Sequence, residues 1–166
     1  MIELSELLSP NRIVCQCNIR SKKRALQTLS ELLAPSVCDK QIDENVEPEL
    51  SEMDIFDALI NRERLGSTAL GHGVALPHSR LNKVEVPIAA MITLESGVDY
   101  EAPDEQPVDI LIGLLVPEKC NDEHLKILAN LAKSLNSQHF RQQLRDFNTN
   151  QAQALYDYLQ KQAPAA

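Results

Sequence analysis

Residues Gly71–Arg80 read GHGVALPHSR, with two glycines, two histidines, a proline and an arginine around the apolar run Val74-Ala75-Leu76. The whole chain has only 5 Gly and 4 His, so this stretch concentrates both. Gly66, Gly71 and Gly73 allow positive φ and close backbone approach, and Pro77 stiffens the residue just before His78. The pattern predicts a shaped turn that presents His78, with Arg80 and Lys83 following and Arg62 and Arg64 preceding it. Such a setting suits the holding of a phosphoryl group. A neutral imidazole is a nucleophile, glycine N–H groups receive phosphate oxygens, and guanidinium groups offset the added charge.

Other chemistries use the same residues. His78 can be a turn residue with one hydrogen bond and no further role. His72, His78 and His124 can make a three-histidine zinc site, although no HExxH and no cysteine pair accompanies them. Ser67 or Ser79 can act as a nucleophile with a histidine base, but there is no GxSxG elbow. The Gly-x-Gly is a weak dinucleotide signal, because Val-Ala-Leu-Pro follows it and not a helix start.

The flanking elements must position this turn. NRIVCQCNI is short and β-branched enough for a strand, with Cys15 and Cys17 predicted on one face. SKKRALQTLSELLAPSV carries Leu26, Leu29, Leu32 and Leu33 at helical spacing, capped by Ser21 and ended at Pro35. Residues 38–50 are acidic, contain Pro48 and read as a loop. SEMDIFDALINRERLG is a second helix, with Ser51 as cap, Asp54 at the third helical position, and Gly66 as a stop. Its predicted buried stripe is Met53, Phe56, Leu59 and Ile60.

Val86–Leu94 and Val108–Val116 are nearly apolar throughout, which fits strands covered on both faces, with a polar link between them. NDEHLKILANLAKSLNS follows as an amphipathic helix with Leu125, Leu128, Leu131 and Leu135 on one side, and two further helices complete the chain. Residues 162–166 should fray. The expectation is an α/β fold: a central mixed β-sheet flanked by helices on both faces, in a single domain spanning residues 1–166.

Composition narrows the function. The chain has 166 residues, enough for a core without staples. Its net charge of −8 argues against nucleic acid or anionic lipid as partner. Aromatics are 4% with no Trp, which disfavours a base-stacking or carbohydrate platform. No run reaches the ~20 apolar residues of a membrane span, and acids stand where a signal peptide needs basic residues. The reading is a cytoplasmic protein with four reduced thiols and no membrane insertion.

The block RERLGSTALGHGVALPHSRL resembles the active-site segment of IIA proteins of the mannitol/fructose–nitrogen group of the phosphotransferase system. That pattern is a helix end with Arg-Glu, then Gly-Ser-Thr, then Gly-x-Gly-Ile/Val-Ala-Ile/Leu-Pro-His. SKKRALQTLSELLA, QPVDILIGLLVP and HLKILANLAKSL resemble the family's first helix, central strand and following helix, so the likeness runs over nearly the whole chain. With no fused transporter or carrier domain, the chain is most similar to the nitrogen-related branch, a regulator.

The resemblance implies that His78 is phosphorylated by a histidine phosphocarrier protein, with Arg62 and His124 beside it. It makes Gly66, Ser67, Thr68, Gly71, Gly73, Ser79 and Arg80 the candidate phosphoryl-binding residues. No cofactor and no metal are implied. Regulatory targets, such as components of potassium transport or a sensor kinase, are the implied partners. Alternatives are a sugar-specific IIA subunit that passes phosphate to a IIB partner, and a non-catalytic binding module on the same fold. Ser79-Arg80 departs from the family's common Gly-Lys, and His72 is read as a bystander.

Overall fold

The two long apolar runs form the middle of the sheet, as strands β5 (Ile88–Val98) and β6 (Val108–Pro117) paired antiparallel. The computed structural model describes residues 3–38, 50–119 and 122–162. Most of the predicted acidic loop and nearly all of the predicted frayed tail lie outside them.

The remaining strands are β1 (Ile13–Cys17), β2 (Ala69–Gly71), β3 (Val74–Ala75) and β4 (His78–Leu81). The order is β1-β5-β6-β3-β2, with β4 also paired to β6. β1 runs parallel to β5, and β3 and β4 lie in tandem, both parallel to β6 along the same edge. Leu76 and Pro77 interrupt that edge, and the Leu114 N–H bridges the gap by donating to the Pro77 carbonyl at 2.9 Å.

Helices α1 (Leu4–Leu7), α2 (Lys22–Cys38), α3 (Glu52–Arg64), α4 (Asp122–Leu135), α5 (Gln138–Asp146) and α6 (Ala152–Lys161) cover both faces. On one face Leu26, Leu29 and Leu33 of α2 and Ile55 and Leu59 of α3 pack against Ala90, Ile92, Leu111 and Leu115. On the other, Ile127, Leu131, Leu144, Leu155 and Leu159 pack against Met91, Ile110, Ile112 and Leu114. Side chains alternate across the pleat, so β5 and β6 feed both cores and read as unbroken apolar runs. The result is the mixed sheet with helices on both faces that the sequence predicts.

Several local readings are corrected. Helix α2 does not stop at Pro35 but continues to Cys38. Pro35 is exposed, so the Glu31 carbonyl deprived of its partner can turn to water. Cys15 and Cys17 do not share a face: Cys15 lies in the core under α4–α6 and Cys17 packs on the α2–α3 side. The register shifts between Val14 and Cys17, and Gln16 has φ +56°, which turns the alternation over.

The capping box of α3 is present, with the Ser51 hydroxyl accepting from the Asp54 N–H and the Asp54 carboxylate accepting from the Ser51 N–H. Its buried row is Ile55, Leu59 and Glu63, while Met53 is 61% exposed. In α4 the buried row is Ile127, Leu131 and Leu135, and Leu125 faces out. The most buried rows share Leu59 with the expected stripe of α3 and Leu131 and Leu135 with that of α4, while Phe56, Ile60 and Leu128 pack partly buried beside them. Strand β5 starts after Val86 and continues through the first residues of the expected polar link, to Val98.

Candidate active site

Each glycine of the 66–73 region answers to a different local demand. Gly66 follows the last turn of α3 at φ +152°, a conformation open to glycine and few others. Gly71 and Gly73, at φ +93° and +82°, form the tip of the β2–β3 hairpin with His72 at φ +56°. A Cβ on Gly73 would stand 2.5 Å from Arg145 Nη2 and 2.9 Å from Asp109 Oδ1. The tip therefore packs against Asp104, Asp109 and Arg145. Arg145 forks onto Asp109 and also donates to the His72 carbonyl at 2.7 Å, and the His72 N–H donates to Asp104 at 2.9 Å.

His78 lies farther along the sheet. Val74 pairs with Ile110 and His78 with Leu114, a separation of four strand residues or about 13 Å. The structure thus does not bring Gly71, Gly73 or exposed His72 to the His78 ring. His72 is correspondingly remote from the three-histidine arrangement. His78 itself begins β4 and does not sit in a turn.

At this end of the sheet the start of β4, level with Leu114 of β6, meets the N-terminal turn of α4. His124, in that turn, lies beside His78 with ring centroids 5.3 Å apart and planes at 66°. His78 Nδ1 is 2.7 Å from the Leu76 carbonyl oxygen, an acceptor only. Nδ1 therefore carries the proton and donates, which leaves the Nε2 lone pair for chemistry. Buried His124 Nε2 has no hydrogen-bond partner among the described residues.

Burial pushes the His78 pKa below the ordinary imidazole value; its bond to Leu76 opposes this, the Arg62 cation adds to it and the Glu63 carboxylate opposes it. Burial also lowers the His124 pKa, followed by the charges of His78, Arg80 and Arg62. Both rings are therefore held toward the neutral form.

The other expected residues divide between two roles. Arg62 donates from Nη1 to the Gly66 carbonyl at 3.0 Å, and its charge acts on both rings. Arg80 shares the His78 face of β4, being one full pleat period along it, and its charge reaches His124. Ser79 occupies the alternate position on β4, on the side where Leu81 packs with α2 and α3. Ser67 donates to the Tyr100 carbonyl at 3.3 Å and accepts from the Ala69 N–H at 3.2 Å, the bonding of a turn cap. Thr68 is buried, with its hydroxyl held by Glu63 and Tyr100.

Glu63, Lys22 and Tyr100 are absent from the sequence reading. Glu63 is buried, 2.9 Å from Lys22 Nζ, and accepts from Tyr100 Oη at 2.9 Å and the Thr68 N–H at 3.1 Å. The available signal was the Arg-Glu pair at the end of α3. Its partners lie far away in sequence, and no spacing rule reaches them.

Residues 6–162 match the family described as phosphoenolpyruvate-dependent sugar phosphotransferase system, EIIA 2. The nitrogen regulatory protein of Pseudomonas aeruginosa is 40% identical over 156 residues, covering 94% of each chain. The crystal structure of nitrogen regulatory protein IIA-Ntr from Neisseria meningitidis superposes with a TM-score of 0.81 at 34% identity, over 94% of this chain and 98% of that one. A fructose-specific EIIA component from Haloferax volcanii is 34% identical over 96 residues, 58% of this chain and 62% of its own length. Sequence match and superposition agree over almost the full described length, so the chain belongs to the EIIA 2 family of the phosphoenolpyruvate-dependent sugar phosphotransferase system, with its likeness running to the nitrogen regulatory IIA proteins.

Proposed function

We propose that this protein accepts a phosphoryl group on His78 Nε2 from the phosphohistidine of a small carrier protein, and that its phosphorylation state regulates partner proteins. The observation that carries the reading is the His78 ring itself. Its Nδ1–H is tied to the Leu76 carbonyl, its pKa is lowered, and its other nitrogen is left for the phosphorus. The Nε2 lone pair attacks phosphorus in line as the donor's N–P bond breaks, and the donor imidazole keeps that electron pair. The Leu76 carbonyl supports the positive charge that the His78 ring gains.

The transition state spreads charge over three equatorial oxygens, so catalysis is mainly positioning and charge stabilisation. Arg62 and the His124 ring supply it. The product adds about two negative charges at the surface, enough to change which partner docks. The names of the similar proteins favour a nitrogen-regulatory output, with components such as a potassium transporter or sensor kinase as targets. The fructose-specific relative supports a second reading, in which phosphate passes on to a IIB partner.

The test is incubation with phosphoenolpyruvate, the first enzyme and the carrier of the system, followed by intact-mass measurement before and after acid. One acid-labile phosphoryl adduct, lost in His78→Ala, is the expected result. An adduct that persists in His78→Ala overturns the assignment.

A further inference from the structure

A buried ion pair is an expensive way to hold a turn, since well-packed apolar groups of similar volume commonly do so at equal or greater stability. The pair between Lys22 and Glu63 adjoins the candidate site, because Glu63 follows Arg62 in α3 and its charge acts on His78. The Glu63 side chain is 4% exposed and that of Lys22 22%. Around this carboxylate converge the start of α2 (Lys22), the end of α3 (Glu63 itself), the residue before β2 (Thr68) and the residue two past β5 (Tyr100). Lys22 Nζ also donates to the Tyr100 carbonyl at 3.3 Å and sits 4.4 Å from the centre of its ring. Tyr100 is fully buried in a chain with only 3 Tyr.

What the network holds is the segment that carries Arg62. Arg62 clasps the Gly66 carbonyl from one side of the turn, and Glu63 receives the Thr68 N–H across it. Ser67 fastens the same turn to the Tyr100 carbonyl. The carboxylate is thus fixed one residue from Arg62, with its charge facing His78. We infer that Lys22 and Tyr100, through Glu63, are positioning residues that hold the Arg62–Ala69 turn and its charges in register with His78. This rests on the phosphoryl-transfer reading for its purpose, but not for its geometry.

The charged and titratable groups that face His78 are Arg62 and Glu63 from α3, His124 from α4 and Arg80 on its own strand. Glu63 is the anion of this set, and Lys22 is its counter-ion. Removing the anion lowers the His78 titration through charge alone, so the titration reports whether the Glu63 charge reaches the ring, and the uptake rate of a charge-neutral variant reports the positioning.

The experiment titrates the His78 imidazole by NMR in the parent, Glu63→Gln, Lys22→Met and Tyr100→Phe, and times phosphoryl uptake from the reconstituted carrier. Glu63→Gln is expected to move the His78 titration to lower pH and Lys22→Met to higher pH. Tyr100→Phe keeps the ring and its packing, and is expected to slow uptake about ten-fold, as small misplacements of a reacting group do. It also decides the matter should Lys22→Met not fold. Parental uptake by Tyr100→Phe overturns the inference, and an unmoved His78 titration in Glu63→Gln overturns the part that brings the Glu63 charge to His78. Failure of the parent itself to take up phosphate overturns the phosphotransfer reading instead, and Ser67–Ala69 amide and Arg62 side-chain NMR signals unmoved in Tyr100→Phe would still overturn the positioning role.

Discussion

The hairpin tip at His72 and the pocket at His78 come from one ten-residue stretch, each holding a histidine, and their hydrogen bonding differs completely. At the tip, Arg145 is engaged by both oxygens of Asp109 and by the His72 carbonyl, and Asp104 takes the His72 N–H. The tip has completed its own bonding. At the pocket, the His78 ring uses only Nδ1 and buried His124 Nε2 has no partner among the described residues. Hydrogen-bonding capacity left unmet inside a protein costs free energy, which sets the His124 ring apart from the tip, although buried Arg141 Nε also lacks a partner among the described residues. Glycine content and histidine count do not separate the two places; what their polar atoms are bonded to does.

The sharpest way to separate them is His78→Ala. It is expected to abolish phosphoryl uptake while costing about 1 kcal/mol of stability, because the ring is half-buried at a strand start. Intact mass and a urea melt check both halves. Next, His124→Ala and Arg62→Ala are each expected to slow uptake about 10²-fold, the scale of losing one charge-stabilising donor. Parental rates in either variant, timed by loss of label from the carrier, would return that residue to a surface role.

The converse change is Gly73→Ala. Its φ of +82° and the crowding by Arg145 and Asp109 predict a loss of about 1–3 kcal/mol. The fraction that remains folded is expected to take up phosphate at the parental rate. A large drop in rate per folded molecule would show that the tip and the pocket act together.

The smallest effect is that of pH. Both site imidazoles have folded-state pKa values below the ordinary 6.5, so His78 stays mainly neutral at that pH and uptake falls only on further acidification. The unfolded chain binds those protons more readily, so the two rings also make stability fall as pH drops below about 6.5 and through their folded pKa values. Replacing either ring by Ala should flatten the urea midpoint against pH in that window.

Much of this was legible in sequence because it is local. Ser51 and Asp54 announce the start of α3 through a spacing of three, and the runs at Val86–Leu94 and Val108–Val116 announce the buried strands through unbroken apolarity. Where two helical rows were both apolar, the sheet chose between them, which is why Met53 and Leu125 lie outside and Ile55 and Ile127 inside. The bulge at Gln16 depends on pairing with β5, and Pro35 survives in α2 because that flank meets water; neither condition is written beside the residue. Within the site, His78 stood out by its own neighbours. Glu63 did not, since a lone glutamate at a helix end reads as a solvated charge until Lys22 and Tyr100 are folded onto it.

The order of the strands also governs when this pocket comes into being. Among the described residues β1 has no sheet neighbour but β5, and β4 none but β6, so the early strands wait for partners that are synthesised much later. His78 leaves the ribosome before the strand that carries it has anything to pair with, and His124 arrives later still. Contacts of such separation form slowly. During biosynthesis the His78–His124 pairing therefore cannot form until β6 and the first turn of α4 are available, and a chain released before that point exposes His78 without the neighbours described here.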